Sequence, residues 1–336
     1  MWKERNDVVE MRKSDMKRRF FRWEWLLLIL IIGISIVNGR LSTHFWSYTG
    51  LMDALAVFLE KGFMVLTMVL VLVIGDIDIS VASITALSSV LMAMAYRGGL
   101  PMALAVPLAL AVGVGCGYFN GTLIAKIPGL SAIIVTLAGS SLYRGIAYIL
   151  LGDQAVGGFP SWYSYLAWGY IKGTHIPFII VAFLVCALFY GLLLHRTTFG
   201  RRLYAIGNNL VAARFSGVPV ARIKQIVFTL NGLMAGVAAV FLTSKLGSSR
   251  PNIALGYELE VIAITVLGGV SPSGGKGGIV GACLALLLMR LLRYGMGLKN
   301  IPGQVMMVLI GIILIGVVMV PQLVSTRKGK PLVRES

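Results

Sequence analysis

The chain has few charged residues and few cysteines. Asp, Glu, Lys and Arg make up only 13% of its 336 residues, whereas about 25% is usual in soluble domains. Hydrophobic residues make up 57%, and 40 further residues are glycine, so the composition predicts a membrane protein. The three cysteines, Cys116, Cys186 and Cys283, all lie in apolar runs, and their spacing fits neither a disulfide framework nor a metal site.

The charge that is present is strongly basic, with 30 Lys and Arg against 13 Asp and Glu, a formal net charge of +17. These charges lie at the ends of apolar runs and do not line a groove, so we expect no nucleic-acid partner. The three histidines are far apart, and no nucleophile–base pair is recognisable. A membrane enzyme is therefore poorly supported.

The apolar runs predict an all-α polytopic membrane protein with about ten transmembrane helices, because a bilayer core of about 30 Å needs roughly 20 apolar residues per helix. The predicted spans are 23–37, 51–74, 78–96, 100–124, 130–151, 176–194, 225–247, 257–270, 278–292 and 301–320. Two of them, 257–270 and 278–292, are short and are joined by a glycine-rich stretch. One of these two is a candidate re-entrant segment.

The distribution of Lys and Arg predicts that both termini are cytoplasmic. In this scheme the predicted parts are a basic cytoplasmic segment at 1–22, a transmembrane domain embedded in membrane lipid at 23–320 with a cytoplasmic loop at 196–224, and a cytoplasmic tail at 321–336. Arg290, Arg293 and Lys299 then lie on the outer side and count against the scheme. The first apolar run has no small-residue cleavage site, so we expect an anchor and not a cleaved signal peptide.

Two carboxylates, Asp76 and Asp78, lie between two long apolar runs. Ionised groups are costly at such a position and indicate either a substrate path or a helix break. Residues two apart do not share a helix face, so the pair is unsuited to chelating one ion within a regular helix. One interpretation is that Asp78, with Ser80 and Ser83, caps the third span at the cytoplasmic edge; the other is a direct role in transport.

The loop 196–224 contains the pattern of a short, capped helix. Asn208 or Asn209 can cap a helix that carries Val211, Ala212, Arg214 and Phe215, and Gly217 followed by Pro219 would end it. An ordinary positive-inside loop would explain the arginines alone. A capped and terminated helix instead favours a surface that docks another protein.

A glycine-rich stretch, Leu267–Gly278, resembles a phosphate-binding loop only superficially. Val270 stands where a Walker loop needs its first glycine and Gly277 where it needs a hydroxyl, so we predict no nucleotide binding. Gly268 and Gly269 instead either break a helix to make room for a solute or allow close helix packing. Asn120 has the same two interpretations, a hydrogen bond to a solute or to a neighbouring helix.

In this order the motifs resemble the permease subunit of bacterial ABC importers of the ribose, autoinducer-2 and rhamnose class, which belong to a branched-chain-amino-acid-like permease family. The similarity covers about residues 50–320. It is carried by Gly75–Ser80, Asn120–Gly121, Ile134–Leu137, Thr198–Arg201 with Ala205–Asn208, and Gly256–Leu259 with Leu267–Gly269. Two departures, Ala82 and Val270–Pro272, leave the family intact and the solute open.

The resemblance implies a pore of two permease subunits, either a homodimer or a heterodimer, in the bacterial inner membrane. Cytoplasmic ATPase subunits, which hold ATP and Mg²⁺, would drive it, and an extracytoplasmic sugar-binding protein would deliver the solute; the chain itself would bind no cofactor and no metal. Ala212–Gly217 matches the importer coupling loop. The residues assigned to ATPase coupling are Gly200, Arg201, Asn208, Ala212, Ala213 and Gly217. The residues assigned to the substrate path are Asp76, Asp78, Asn120, Thr136, Gly268 and Gly269.

The sequence leaves two questions open, the source of energy for transport and the identity of the solute. A proton-coupled secondary transporter would use Asp76 or Asp78 to carry the proton. Among importer solutes, ribose, rhamnose, another pentose and autoinducer-2 are not separable from these residues.

Overall fold

The computed structural model describes residues 23–56, 59–127, 129–306, 308–309 and 311–312. In chain order its helices are α1 (Trp23–Leu41), a 3₁₀ turn (Thr43–Trp46), α2 (Tyr48–Ala56), α3 (Glu60–Val73), α4 (Val81–Arg97), α5 (Met102–Lys126), α6 (Ala132–Leu151), α7 (Ser161–Trp168), α8 (Phe178–Arg196), α9 (Thr198–Asn208), α10 (Leu210–Phe215), α11 (Val220–Leu246), α12 (Tyr257–Leu267) and α13 (Ile279–Leu298). Two short strands, β1 (Val156–Gly157) and β2 (Ser248–Ser249), pair antiparallel. The predicted all-α class is confirmed.

Within those residues, six helices are long and apolar enough to cross a membrane: α1, α5, α6, α8, α11 and α13. A seventh span is formed if α2 and α3, which meet at a bend of 53°, are taken together. Helices α4 and α12 occupy two further predicted spans but have only 17 and 11 residues. The predicted tenth span and both predicted terminal segments lie largely or wholly outside the described residues.

Helix α3 forms the centre of the bundle. Every one of its residues from Glu60 to Val73 is buried, which is typical of a helix that is apolar on all sides and surrounded by other helices. Its neighbours include α8, α9, α11, α12 and α13. Any side chain that α3 carries is therefore screened from both lipid and water.

Helices α5 and α11 pack backbone against backbone through glycine. A Cβ atom on Gly117 would lie 2.3 Å from the carbonyl oxygen of Phe228, and one on Gly232 would lie 2.2 Å from that of Gly113. Neither position has room for a side chain. Small residues four apart allow this close approach between membrane helices, and it holds α5 and α11 together as one unit.

Candidate functional site

The two carboxylates Asp76 and Asp78 lie in a break between α3 and α4. Helix α3 ends in a Schellman motif, in which Gly75 N donates to Leu72 O at 2.9 Å and Asp76 N donates to Val71 O at 3.2 Å. Gly75 has φ +81°, a conformation that glycine adopts without strain. The chain then turns back into the bundle, which carries Asp78 inward.

Asp78 is completely buried and accepts three hydrogen bonds. Its Oδ1 accepts from Ser80 N at 2.8 Å and from Ser80 Oγ at 2.6 Å, and its Oδ2 accepts from Asn231 Nδ2 at 2.8 Å. Asp78 thus binds the start of α4, as the capping interpretation requires. One part of the interpretation was wrong, because the Ser80 side chain makes no cap.

These bonds belong to a larger cluster, which we call the amide–hydroxyl network. Asn120 Nδ2 donates to Ser80 Oγ at 2.9 Å, and Asn120 Oδ1 accepts from Tyr143 at 2.7 Å. At the other end, Thr67 Oγ1 donates to Asn231 Oδ1 at 2.8 Å. The members are Thr67, Asp78, Ser80, Asn120, Tyr143 and Asn231. They join α3, α4, α5, α6 and α11 around one carboxylate.

The six residues predicted for the substrate path fall into three places. Thr136 lies beside the network, since its Oγ1 accepts from Ile79 N at 3.2 Å, so it joins Asp78 and Asn120. Asp76 lies apart, next to Lys224.

The two predicted glycines of the path lie where α12 ends. A Cβ on Gly268 would lie 2.5 Å from Ala282 Cα, and one on Gly269 would lie 3.0 Å from Trp23 Cδ1. Of their two interpretations, the structure favours close packing.

The short helix predicted in the loop 196–224 is α10. Its cap is Asn209, whose Oδ1 accepts from Ala212 N at 2.9 Å, and the chain leaves it through Gly217 at φ +78°. Helix α9 precedes it and is capped by Thr197. The two helices form a projecting element at one end of the bundle.

The six residues predicted for ATPase coupling differ in exposure. Four are exposed: Arg201 and Asn208 on α9, Ala212 on α10, and Gly217 just after α10. Ala213 is buried, as is Gly200, where a Cβ would lie only 1.9 Å from Leu194 O. Phe215, which was not assigned, is 88% exposed. An aromatic ring left so exposed on a capped helix is the signal that marks this surface.

A second polar cluster, the ion cluster, lies at the other end of α3. Glu260 Oε2 accepts from Lys61 Nζ at 2.5 Å and from Arg293 Nη2 at 2.7 Å. Lys245 Nζ lies 3.4 Å from Glu60 Oε2. These five residues, Glu60, Lys61, Lys245, Glu260 and Arg293, join α3, α11, α12 and α13.

The sequence did not predict the ion cluster. Arg290 and Arg293 counted there as outer-side charges, but both lie within α13, and Arg290 is only 6% exposed. Acidic and basic partners more than thirty residues apart leave no local pattern in the chain.

Arg144 is another residue that the sequence analysis missed. It lies in α6, and its Nη1 donates to Pro251 O at 2.6 Å and to Ile253 O at 2.8 Å. These carbonyls belong to the irregular segment 250–256 before α12. Non-helical backbone within a membrane needs such partners, and an arginine inside the predicted span 130–151 was the available signal.

Comparison with known proteins places the chain in a family. The family described as "Branched-chain amino acid transport system / permease component" matches residues 50–318. The chain belongs to this family. It is 34% identical over 306 residues to the autoinducer 2 import system permease protein LsrD of Yersinia enterocolitica, covering 89% of this chain and 92% of the relative. The LsrD proteins of an Enterobacter species and of Salmonella paratyphi B are 34% and 33% identical and cover 88% and 89% of the chain, and 92% and 91% of those proteins.

No solved structure matches the chain. The family and the relatives confirm the predicted ABC-importer permease and a multi-pass membrane protein. They decide against a proton-coupled secondary transporter.

Proposed function

We propose that this permease is a non-catalytic translocation subunit in the bacterial inner membrane, with both termini cytoplasmic. Separate cytoplasmic ATPase subunits hydrolyse ATP with Mg²⁺ and drive it, and a second permease subunit completes the pore. The family and the relatives, which are named as import-system permeases, support this proposal. The chain itself binds no cofactor.

The assignment of the ATPase contact rests on the exposed face of α10. Phe215 is 88% exposed and Val211 is 63% exposed, while Ala213 on the opposite side is buried against the bundle. Arg201 on α9 and Arg214 on α10 are also exposed and give the element positive charge. A rigid helix with an aromatic knob and a basic rim fits an apolar, acidic-edged groove on a partner protein.

This contact is tested with Phe215→Ala in the complex with its cognate ATPase. We expect the ATPase to bind about 30-fold more weakly, because a central aromatic anchor contributes about 2 kcal/mol or more to an interface. The matched control is Phe189→Ala, which removes a ring that is 56% exposed but lies on α8, outside this element. Equal ATPase retention in both variants would contradict the assignment.

We propose that the solute is autoinducer 2 or a closely similar hydroxylated, sugar-like molecule, delivered by an extracytoplasmic binding protein. The names of the relatives support this choice. The amide–hydroxyl network supplies neutral donors and acceptors of the kind that a polyol can replace. Because it is enclosed in the described conformation, α4 and α11 would separate around Asp78 when the permease alternates between its two packings.

The solute is tested by uptake into cells that lack their own importers but express this permease with its ATPase and binding protein. We expect saturable, ATP-dependent uptake of labelled autoinducer 2, and competition by ribose or rhamnose only at much higher concentrations. Uptake of ribose or rhamnose in preference to autoinducer 2 would change the solute while leaving the importer assignment intact. Uptake by the permease without any ATPase would contradict the importer assignment itself.

A further inference from the structure

Three glycines from distant parts of the chain meet where α9 ends. A Cβ on Gly207 would lie 1.9 Å from the carbonyl oxygen of Val73, the last residue of α3. A Cβ on Gly274 would lie 2.8 Å from Gly207 O and 3.0 Å from Gly75 Cα. We call this contact between Gly75, Gly207 and Gly274 the glycine junction. The three backbone segments are packed so closely at this junction that none of them can shift without displacing the other two.

Hydrogen bonds hold the same three segments together. Gly275 N donates to Val73 O at 2.9 Å, which ties the glycine-rich loop to the end of α3. Tyr204 on α9 donates its hydroxyl proton to Gly277 O at 2.7 Å. Burial raises the pKa of Tyr204 to about 12, so the phenol stays protonated and remains a donor at physiological pH.

A second link reaches the break from the other side of α10. Lys224 lies in the first turns of α11, soon after α10 ends. Its Nζ lies 2.7 Å from Asp76 Oδ2 and donates to Asp76 Oδ1 at 3.0 Å. Both side chains are largely buried, at 16% and 13% exposure. The α3–α4 break is therefore bound on one side to α9 and on the other to the start of α11, the helix that follows α10.

We propose that the glycine junction and the Asp76–Lys224 pair transmit movement of the α9–α10 element to the α3–α4 break and so to the network around Asp78. Gly207 and Lys224 are positioning residues in this scheme, and neither contacts the solute. The geometric reason is that Asp76 and Asp78 lie one and three residues after Gly75, so a shift of α9 that is passed to Gly75 through Gly274 displaces both carboxylates. This inference rests on the proposed ATPase contact.

The test uses the full importer, reconstituted with its ATPase and its binding protein, and the variant Gly207→Ala. The added methyl group would clash with Val73 O and would force α9 away from α3. We expect the ATPase to remain bound, while the stimulation of ATP hydrolysis by loaded binding protein falls about 10-fold, within the roughly 5–150-fold range of allosteric coupling. The matched control is Gly191→Ala on α8, where a Cβ meets nothing within 4 Å; it should leave stimulation unchanged.

Two further variants keep the inference open to refutation if Gly207→Ala fails to assemble. Tyr204→Phe removes only the bond to Gly277 O and should reduce stimulation about fivefold. The exchanged pair Asp76→Lys with Lys224→Asp should recover stimulation that either single variant loses.

The outcomes separate this inference from the proposed function. Normal stimulation in assembled Gly207→Ala, or in Tyr204→Phe together with both single ion-pair variants, would overturn the transmission scheme. So would loss of ATPase binding in a stable Gly207→Ala protein, since α9 would then dock the ATPase and not transmit. Failure of the unaltered permease to retain the ATPase would instead overturn the proposed contact.

Discussion

The amide–hydroxyl network and the ion cluster both contain buried polar groups on α3, but they satisfy them by different means. Thr67 belongs to the network, where one carboxylate is surrounded by neutral hydrogen-bond donors. Lys61 belongs to the ion cluster, where Glu260 holds two cations. Buried ion pairs are costly to break because a charge remains behind, whereas neutral hydrogen bonds exchange partners at small cost. The ion cluster is therefore suited to fixing helices, and the network to rearranging in the proposed transport cycle.

The largest effect is expected from Glu260→Gln in the ion cluster. The change keeps the shape of the side chain but leaves Lys61 and Arg293 without their shared anion, which should cost about 3–5 kcal/mol. The free energy of unfolding in mixed micelles measures this loss. A loss below about 1 kcal/mol would show that water or lipid reaches the cluster and screens it.

Asn231→Leu in the network should have the next largest effect. It removes the donor to Asp78 Oδ2 and the acceptor for Thr67, and a buried group left unsatisfied costs about 1–3 kcal/mol. Solute uptake should fall more steeply than stability, if the network rearranges around the solute. Uptake that falls only in proportion to the amount of folded protein would make the network purely structural.

Tyr143→Phe sharpens the comparison at one neutral hydroxyl. The hydroxyl lies 2.7 Å from Asn120 Oδ1 and 3.2 Å from Cys116 O, and neutral hydrogen bonds in membrane proteins contribute about 0.6 kcal/mol on average. Unfolding in micelles should reveal a change of this size. A loss several times larger would mean that neutral bonds in this network are as difficult to exchange as the ion pairs.

Lys245→Met should have the smallest effect. Lys245 lies at the rim of the ion cluster, 21% exposed and 3.4 Å from Glu60 Oε2, so its ion pair should contribute no more than about 0.3 kcal/mol. Methionine preserves the packing of the aliphatic stem. A destabilisation as large as that of Glu260→Gln would place Lys245 at the centre of the cluster.

The sequence predicted those features whose signals are local in the chain. Apolar runs long enough to cross a bilayer located helices such as α5 and α8, and a cap residue with a terminating glycine located α10 between Asn209 and Gly217. Asp78 was singled out because a carboxylate between apolar runs is conspicuous by itself.

The partners of these residues could not be predicted in the same way. In the sequence, nothing distinguishes Asn231 from other amide residues in apolar helices. Only the folded chain brings it to Asp78, which is 153 positions away. The same holds for Gly207, whose need for glycine arises from Val73 and Gly274. Single-sequence patterns report which residues are unusual, while tertiary packing decides which of them meet.

The glycine contact between α5 and α11 also has a consequence for biosynthesis. The ribosome releases α5 long before α11, so Gly113 and Gly117 enter the membrane without the backbone that they fit. Asn120 lies on the same helix, and the amide–hydroxyl network to which it belongs is incomplete until Asn231 has been inserted. The glycine face of α5 therefore stays without its partner in the bilayer until the second half of the chain has been translated.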